Sequence, residues 1–147
     1  MSDAVRAGAV AAVCSGAPST VWAVLRGTDP LAPSLAAGAM LLPRSSRRSS
    51  LLMAAAAVHT VLSLGWAQVL AAAAGPREST VTSGLLRGAA GGLGIAALDL
   101  GLAHAASSPR LEKVRALPVL PQVADHVAFG ALVAGLLAHY GAVRRRG

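Results

Sequence analysis

Five side chains that could do chemistry lie within or at the ends of apolar stretches of the sequence: His59, Asp99, Asp125, His126 and Thr20. Carboxylates and imidazoles exchange protons, so they can hold a proton or cation or act as an acid–base pair. Ionisable groups are costly inside a membrane and usually face a bundle interior, a cavity or a partner. These five residues are the candidates for a ligand or proton site, and the sequence assigns no catalytic residue.

The elements that carry these residues must bring them to one end of a helical bundle. We call side A the membrane side that holds the connector of residues 26–50 and the loop of residues 107–122. If each apolar run crosses once, all five candidates lie within roughly 13 Å of side A, because a helix rises 1.5 Å per residue. The sequence therefore predicts a polar pocket in one half of the bilayer. A second interpretation stays open, in which these groups only hydrogen-bond one another between helices.

Four apolar runs are long enough to cross a membrane, which takes roughly 20 residues in a helix. The clearest one contains no Asp, Glu, Lys or Arg, and Gly75 and Pro76 end it. The predicted spans are residues 5–25, 50–74, 81–106 and 123–143. Residues 35–42 are too short to span and predict an interfacial or re-entrant helix between spans one and two. The chain is thus predicted to be a single all-α domain, residues 1–147, built as a four-transmembrane-helix bundle.

Pro18 interrupts the first span, because proline removes a backbone N–H and kinks a helix. Neighbouring hydroxyls such as Ser19 can satisfy the carbonyls that the kink frees. Two interpretations remain at this point. The interruption is either a packing kink or an opened backbone that faces a cavity, as in transporters with broken helices.

A row of small residues runs along the third span, where Gly84, Gly88 and Gly92 recur every four residues. Such a ridge lets two helix backbones approach closely, within the chain or between two copies of it. Asp99 lies seven residues beyond Gly92, so it points into the same contact. Asp125 is expected in the first turn of the fourth span, where a carboxylate complements the helix dipole.

The composition favours a membrane over water. Of the 147 residues, 54% are apolar and 13% are charged, whereas soluble domains carry about a quarter charged residues. The formal net charge of +7 comes mainly from arginines that flank the apolar runs. Such flanking is typical of membrane spans and explains these arginines more simply than a nucleic-acid interface does, so no nucleic-acid partner is expected. These arginines are nearly balanced between the two sides, so the positive-inside rule does not decide the orientation. The compact arginine tail at residues 144–146 slightly favours cytoplasmic termini. A water-soluble Ala-rich bundle is the alternative.

No cofactor or metal is expected from the sequence. Cys14 is the only cysteine, which excludes an intrachain disulfide and a multi-cysteine zinc site. His59 and His126 differ in depth by roughly 8 Å, a poor match for the two axial ligands of one haem. Two carboxylates are too few for a di-iron site, and the chain has no phosphate-binding loop.

Four strings of the sequence together carry a resemblance: SGAPSTVWAVLRGTDPLA, HTVLSLGW, ALDLG and LPQVADHVAFG. They resemble uncharacterised small four-helix integral membrane proteins of high-GC bacteria. The resemblance implies a multi-pass protein of the cell membrane and names no activity. The sequence thus predicts a binding or transport-associated membrane protein, with lipid and a second copy or another membrane protein as partners. The alternative is a membrane enzyme that uses His59 and Asp99 on a lipid-soluble substrate.

Overall fold

The computed structural model describes residues 1–74 and 80–146, and all regular structure in them is helical. The helices are α1 (Asp3–Cys14), α2 (Ala17–Leu25), α3 (Ala32–Leu41), α4 (Arg48–Ala74), α5 (Val81–Ala105), α6 (Glu112–Arg115) and α7 (Val119–Arg144), with a 3-10 turn at Pro109–Leu111. This confirms the all-α prediction, including a short helix between the first two long ones. The predicted end of the second span at Gly75 and Pro76 lies outside the described residues.

Four helical segments are long and apolar enough to cross a membrane. They are α1 with α2 taken together (23 residues), α4 (27 residues), α5 (25 residues) and α7 (26 residues). Their outward faces are apolar, since Val13, Met53 and Val61 are 85%, 74% and 70% exposed. Soluble monomers rarely expose such extended apolar surface, so these faces fit lipid better than water.

Helix α7 occupies the middle of the bundle, where it contacts α1, α2, α4 and α5. Its most extensive partner is α5, while α1 packs on both α4 and α7, and α3 packs on α4. Apart from Phe129, the core consists of small and branched side chains, and its members come from four helices: Ala7, Ala11, Ala67, Ile95, Phe129 and Val133. A core this small in side-chain volume lets the helices lie close together.

The glycine row of α5 packs against α7. A Cβ atom built on Gly88 would overlap the Gly130 carbonyl oxygen, and one on Gly92 would overlap the His126 carbonyl oxygen. A Cβ atom on Gly84 would lie 2.8 Å from the Ala134 carbonyl oxygen. Only glycine fits at such contacts without a shift of backbone. Because α7 covers the row, a second copy of the chain would have to use another surface.

The chain between α5 and α7 is more helical than the sequence predicts. Its prolines exclude a long helix, but they allow the 3-10 turn and α6, and α7 already begins at Val119 rather than near Val123. Pro121 is tolerated because the first-turn N–H groups of a helix have no partner inside the helix. Asp125 therefore lies in the second turn of α7, so the expected role at the dipole of its own helix is wrong.

At side A, arginine side chains bind groups in the connectors and at the helix ends. Arg48 forms an ion pair with Asp29 at 3.0 Å and ties the start of α4 to the connector before α3. The Arg115 side chain donates to the Ala106 carbonyl oxygen at 2.7 Å, at the end of α5. The Arg110 side chain donates to the Met40 carbonyl oxygen in the last turn of α3. The contacts of Arg115 and Arg110 satisfy carbonyl groups that helix ends leave without an internal partner.

Candidate functional site

The first membrane-crossing segment is broken near its middle. Helix α1 ends at Cys14, α2 begins at Ala17, and Ser15 and Gly16 form a turn between them. Pro18 has no N–H to give to the preceding turn, which explains why the helix does not run through. The break frees carbonyl groups at the end of α1 and N–H groups at the start of α2, and these need partners in a medium without water.

Asp125 supplies a partner at the start of α2. The Ser19 backbone N–H donates to Asp125 Oδ1 at 2.9 Å, so a carboxylate of α7 takes the role that an N-cap residue plays within one chain segment. A negative charge there also lies at the positive end of the α2 dipole. The Asp125 side chain thus joins α7 to the second half of the broken helix.

His59 supplies a partner at the end of α1. Its Nε2 atom lies 2.7 Å from the Ala12 carbonyl oxygen, and because a carbonyl only accepts, Nε2 carries the proton and donates. The ring is exposed at the bundle surface rather than enclosed between helices. His59 of α4 and Asp125 of α7 therefore act on the two sides of the same helix break.

Asp99 meets two aromatic nitrogen atoms from two other helices. The Trp66 Nε1–H group of α4 donates to Asp99 Oδ2 at 3.2 Å. The same oxygen lies 3.4 Å from Nε2 of His126 on α7. The carboxylate thus links α4, α5 and α7, at a place where α4 and α5 otherwise have few contacts.

His126 contacts the Gln122 carbonyl through one ring nitrogen and Asp99 through the other. Its Nδ1 atom lies 2.7 Å from the Gln122 carbonyl oxygen, so Nδ1 carries a proton and donates. The Nε2 atom faces Asp99 Oδ2, and two lone pairs would repel each other there. A proton held between Asp99 and His126, on the imidazole or on the carboxyl group, would relieve that repulsion. The side chains of His126 and Asp99 remain 25% and 30% exposed, which leaves the pair accessible.

The structure divides the five predicted site residues into two groups that adjoin along α7. Asp99 and His126 contact each other, while Asp125 and His59 bind the helix break. Thr20 joins neither group directly, since its hydroxyl is exposed and donates to the Gly16 carbonyl oxygen at 2.8 Å. The five residues thus stay within one region of the bundle, but His59 and Asp99 have different partners.

A cavity of about 520 Å³ lies at side A beside both groups. Its lining includes Ser19, whose N–H binds Asp125, and Gln122, whose carbonyl oxygen accepts from His126. Trp22 and Arg26 form another part of the wall, with the guanidinium carbon 4.8 Å from the ring centre. The cavity therefore reaches the hydrogen-bond partners of the predicted residues rather than those residues themselves.

Sequence reasoning did not assign Trp66 or Gln122 to the site. Trp66 had a detectable signal, because it lies seven residues from His59 and a buried indole N–H needs an acceptor. Gln122 takes part through its backbone carbonyl, which any residue type supplies, so its side chain gave no signal.

Within residues 1–74 and 80–146, no three His, Cys, Asp or Glu side chains come together as a metal site. Comparison with protein-family models, with curated proteins and with solved structures found no match. The resemblance to small membrane proteins of high-GC bacteria therefore stays a prediction, and the function must be argued from the side chains alone.

Proposed function

We propose that this chain is a multi-pass protein of the cell membrane that binds a proton, or a small cation in its place, at Asp99 and His126. Its role is binding or transport-associated, with access from side A. The observation that carries the proposal is the 3.4 Å approach of His126 Nε2 to Asp99 Oδ2, with His126 Nδ1 already donating to the Gln122 carbonyl oxygen. Removing that proton leaves a carboxylate and a lone pair 3.4 Å apart, which a cation can stabilise.

The broken helix supports a transport-associated role. In transporters with broken helices, half-helix ends contribute to a site near the middle of the membrane. Here Asp125 binds the start of α2 and is adjacent in sequence to His126, so the charge at the pair and the position of α2 are linked through α7. Ser19 and Gln122 both line the cavity at side A, and they are hydrogen-bond partners of Asp125 and His126.

The enzyme alternative has less support from the geometry. An acid–base mechanism needs His59 and Asp99 on one substrate atom. Instead His59 donates to Ala12 of α1, whereas Asp99 accepts from Trp66 and faces His126. The binding hypothesis uses these contacts as they are.

Trp66 fluorescence tests the proposal, because its indole N–H is bonded to the carboxylate that gains or loses charge. The chain has two tryptophans, so W22F leaves Trp66 as the only reporter. We expect emission of the W22F protein in lipid nanodiscs to follow one pH transition. D99N keeps an oxygen that accepts from Trp66, but it cannot hold the shared proton, so W22F/D99N should lose that transition.

The matched control is W22F/H104Q, since His104 Nδ1 bonds only to the Leu100 carbonyl oxygen of its own helix. That variant should keep the transition, and W22F/H126Q should lose it. A transition that persists in both W22F/D99N and W22F/H126Q would contradict the proposal. Asp99 and His126 would then serve only as hydrogen-bonding contacts between helices.

A further inference from the structure

A second cavity lies at side B, the end of the bundle opposite side A. It measures about 630 Å³ and is bounded by the first turn of α1, the end of α4, the first half of α5 and the second half of α7. Its walls are mainly small and aliphatic, with Leu70 and Leu137 among them. Three arginines, Arg87, Arg144 and Arg145, also line it.

The described residues that line this cavity carry a net positive charge. Asp3 is the one carboxylate among the described lining residues, and it forms an ion pair with Arg144. Arg87 contacts a neutral partner, the Ser83 hydroxyl oxygen at 3.4 Å, and Arg145 follows the last residue of α7. Three arginines and one aspartate leave two positive charges, so Arg87 and Arg145 are the groups with charge to offer to an anion.

We propose that this cavity binds the phosphate headgroup of an anionic membrane lipid. Basic pockets between membrane-crossing helices favour such headgroups, because arginine donates to phosphate oxygens in a fork and retains its charge. The apolar walls of the cavity favour a lipid over free phosphate. Leu70, Leu137 and neighbouring alanines can contact the glycerol and upper acyl carbons, which inorganic phosphate lacks.

The cavity is placed where a lipid can enter it. Ala73, Ala74 and Arg87 are exposed, so the lining continues onto the outer surface of the bundle at the end of the apolar spans. Gly91 lets the Leu70 side chain lie close against α5, since a Cβ atom on Gly91 would lie 2.7 Å from Leu70 Cδ2. The site is separate from Asp99 and His126, and it does not depend on the function proposed for them.

Lipid titration of the full-length protein in a neutral detergent, read by native mass spectrometry, tests this site. The probes are dioleoylphosphatidylglycerol, dioleoylphosphatidylcholine with its zwitterionic headgroup, and inorganic phosphate. We expect the anionic lipid to bind more tightly than the other two. R87Q and R145Q should each weaken it about fivefold, the effect of one basic side chain near a charged headgroup. Arg146 is adjacent but does not line the cavity, so R146Q should change binding less than about twofold.

Replacement of Ala71 tests the contribution of the apolar walls to lipid binding without a change of charge. Ala71 lines the cavity, so A71L should fill part of the space and weaken the binding of the anionic lipid. D99N, which lies outside the cavity, should leave lipid binding unchanged. Equal effects of R146Q and R87Q/R145Q, or equal binding of phosphatidylcholine, would overturn the site. Phosphate that binds as tightly as the lipid, with no effect of A71L on lipid binding, would overturn its assignment to a lipid.

Discussion

At the scale of single residues, Asp125 and His59 show how polar side chains can substitute for water in a membrane. Each satisfies one backbone group that the break in the first span leaves open. In a continuous helix both groups would bond within the segment. Here the partners come from α7 and α4, so the side chains fix the position of the broken helix as well as its hydrogen bonds.

Replacement of Asp125 should separate its two properties, hydrogen-bond acceptor and charge. D125A removes the acceptor for the Ser19 N–H, and loss of a cap costs about 0.5–2 kcal/mol. D125N keeps an acceptor oxygen, so its free energy of unfolding should fall much less than that of D125A. Unfolding in mixed detergent, followed by circular dichroism, measures both. Equal losses in the two variants would show that charge, rather than the hydrogen bond, holds α2.

Replacement of His59 should have a smaller effect, because interhelical hydrogen bonds in membrane proteins average about 0.6 kcal/mol and reach about 1.7 kcal/mol. H59A should lower the unfolding free energy within that range, since it leaves the Ala12 carbonyl without its 2.7 Å donor. H104A is the control, because its ring bonds to its own helix. The same unfolding assay applies, and an H104A loss as large as that of H59A would remove the special role of His59.

At the scale of elements, the most extensive helix–helix contact in the bundle is that between α5 and α7. G88A should destabilise the protein by about 1–3 kcal/mol, because its Cβ atom would meet the Gly130 carbonyl and force the helices apart. Gly94 of the same helix has no atom within 4 Å of such a Cβ, so G94A should be neutral or stabilise by up to about 1 kcal/mol. Thermal unfolding in detergent compares the two variants, and similar midpoints would contradict the close packing.

Much of this element structure could be predicted from the sequence, because long apolar runs and a glycine spacing of four are local signals. Pro18 also gave the place of the break. The lateral order of the helices could not be predicted, since hydropathy does not say which helix neighbours which. That order decides that Asp99 meets Trp66 and His126, and that His59 meets Ala12. The early start of α7 was missed because prolines are neutral in a first helical turn.

At the scale of the whole molecule, the polar contacts form two groups in one apolar bundle, one toward side A and one at side B. The partners of Asp125 and His126 line the cavity at side A, whereas the arginine-lined cavity lies at side B. The Arg144–Asp3 ion pair and the stacking of Arg6 on Tyr140 join the two ends of the chain at side B. Four crossings with both termini at one end are the arrangement on which every proposal here depends.

Cysteine labelling tests that arrangement directly. Cys14 is the only cysteine, so C14A gives a background into which single cysteines can be placed at exposed sites. S2C and R146C report side B, and S46C and K113C report side A. In intact cells, a membrane-impermeant maleimide should label one pair and not the other, because a charged reagent does not cross the bilayer.

The pair that reacts identifies the orientation of the protein in the membrane. The arginines are nearly balanced between the two sides and do not determine it. Detergent permeabilisation is the control, since it should make all four positions reactive. If S2C and S46C react alike in intact cells, the first segment does not cross, and the break would not lie in lipid. His59 and Asp125 would then satisfy groups that water could also reach, and their replacement would cost correspondingly less.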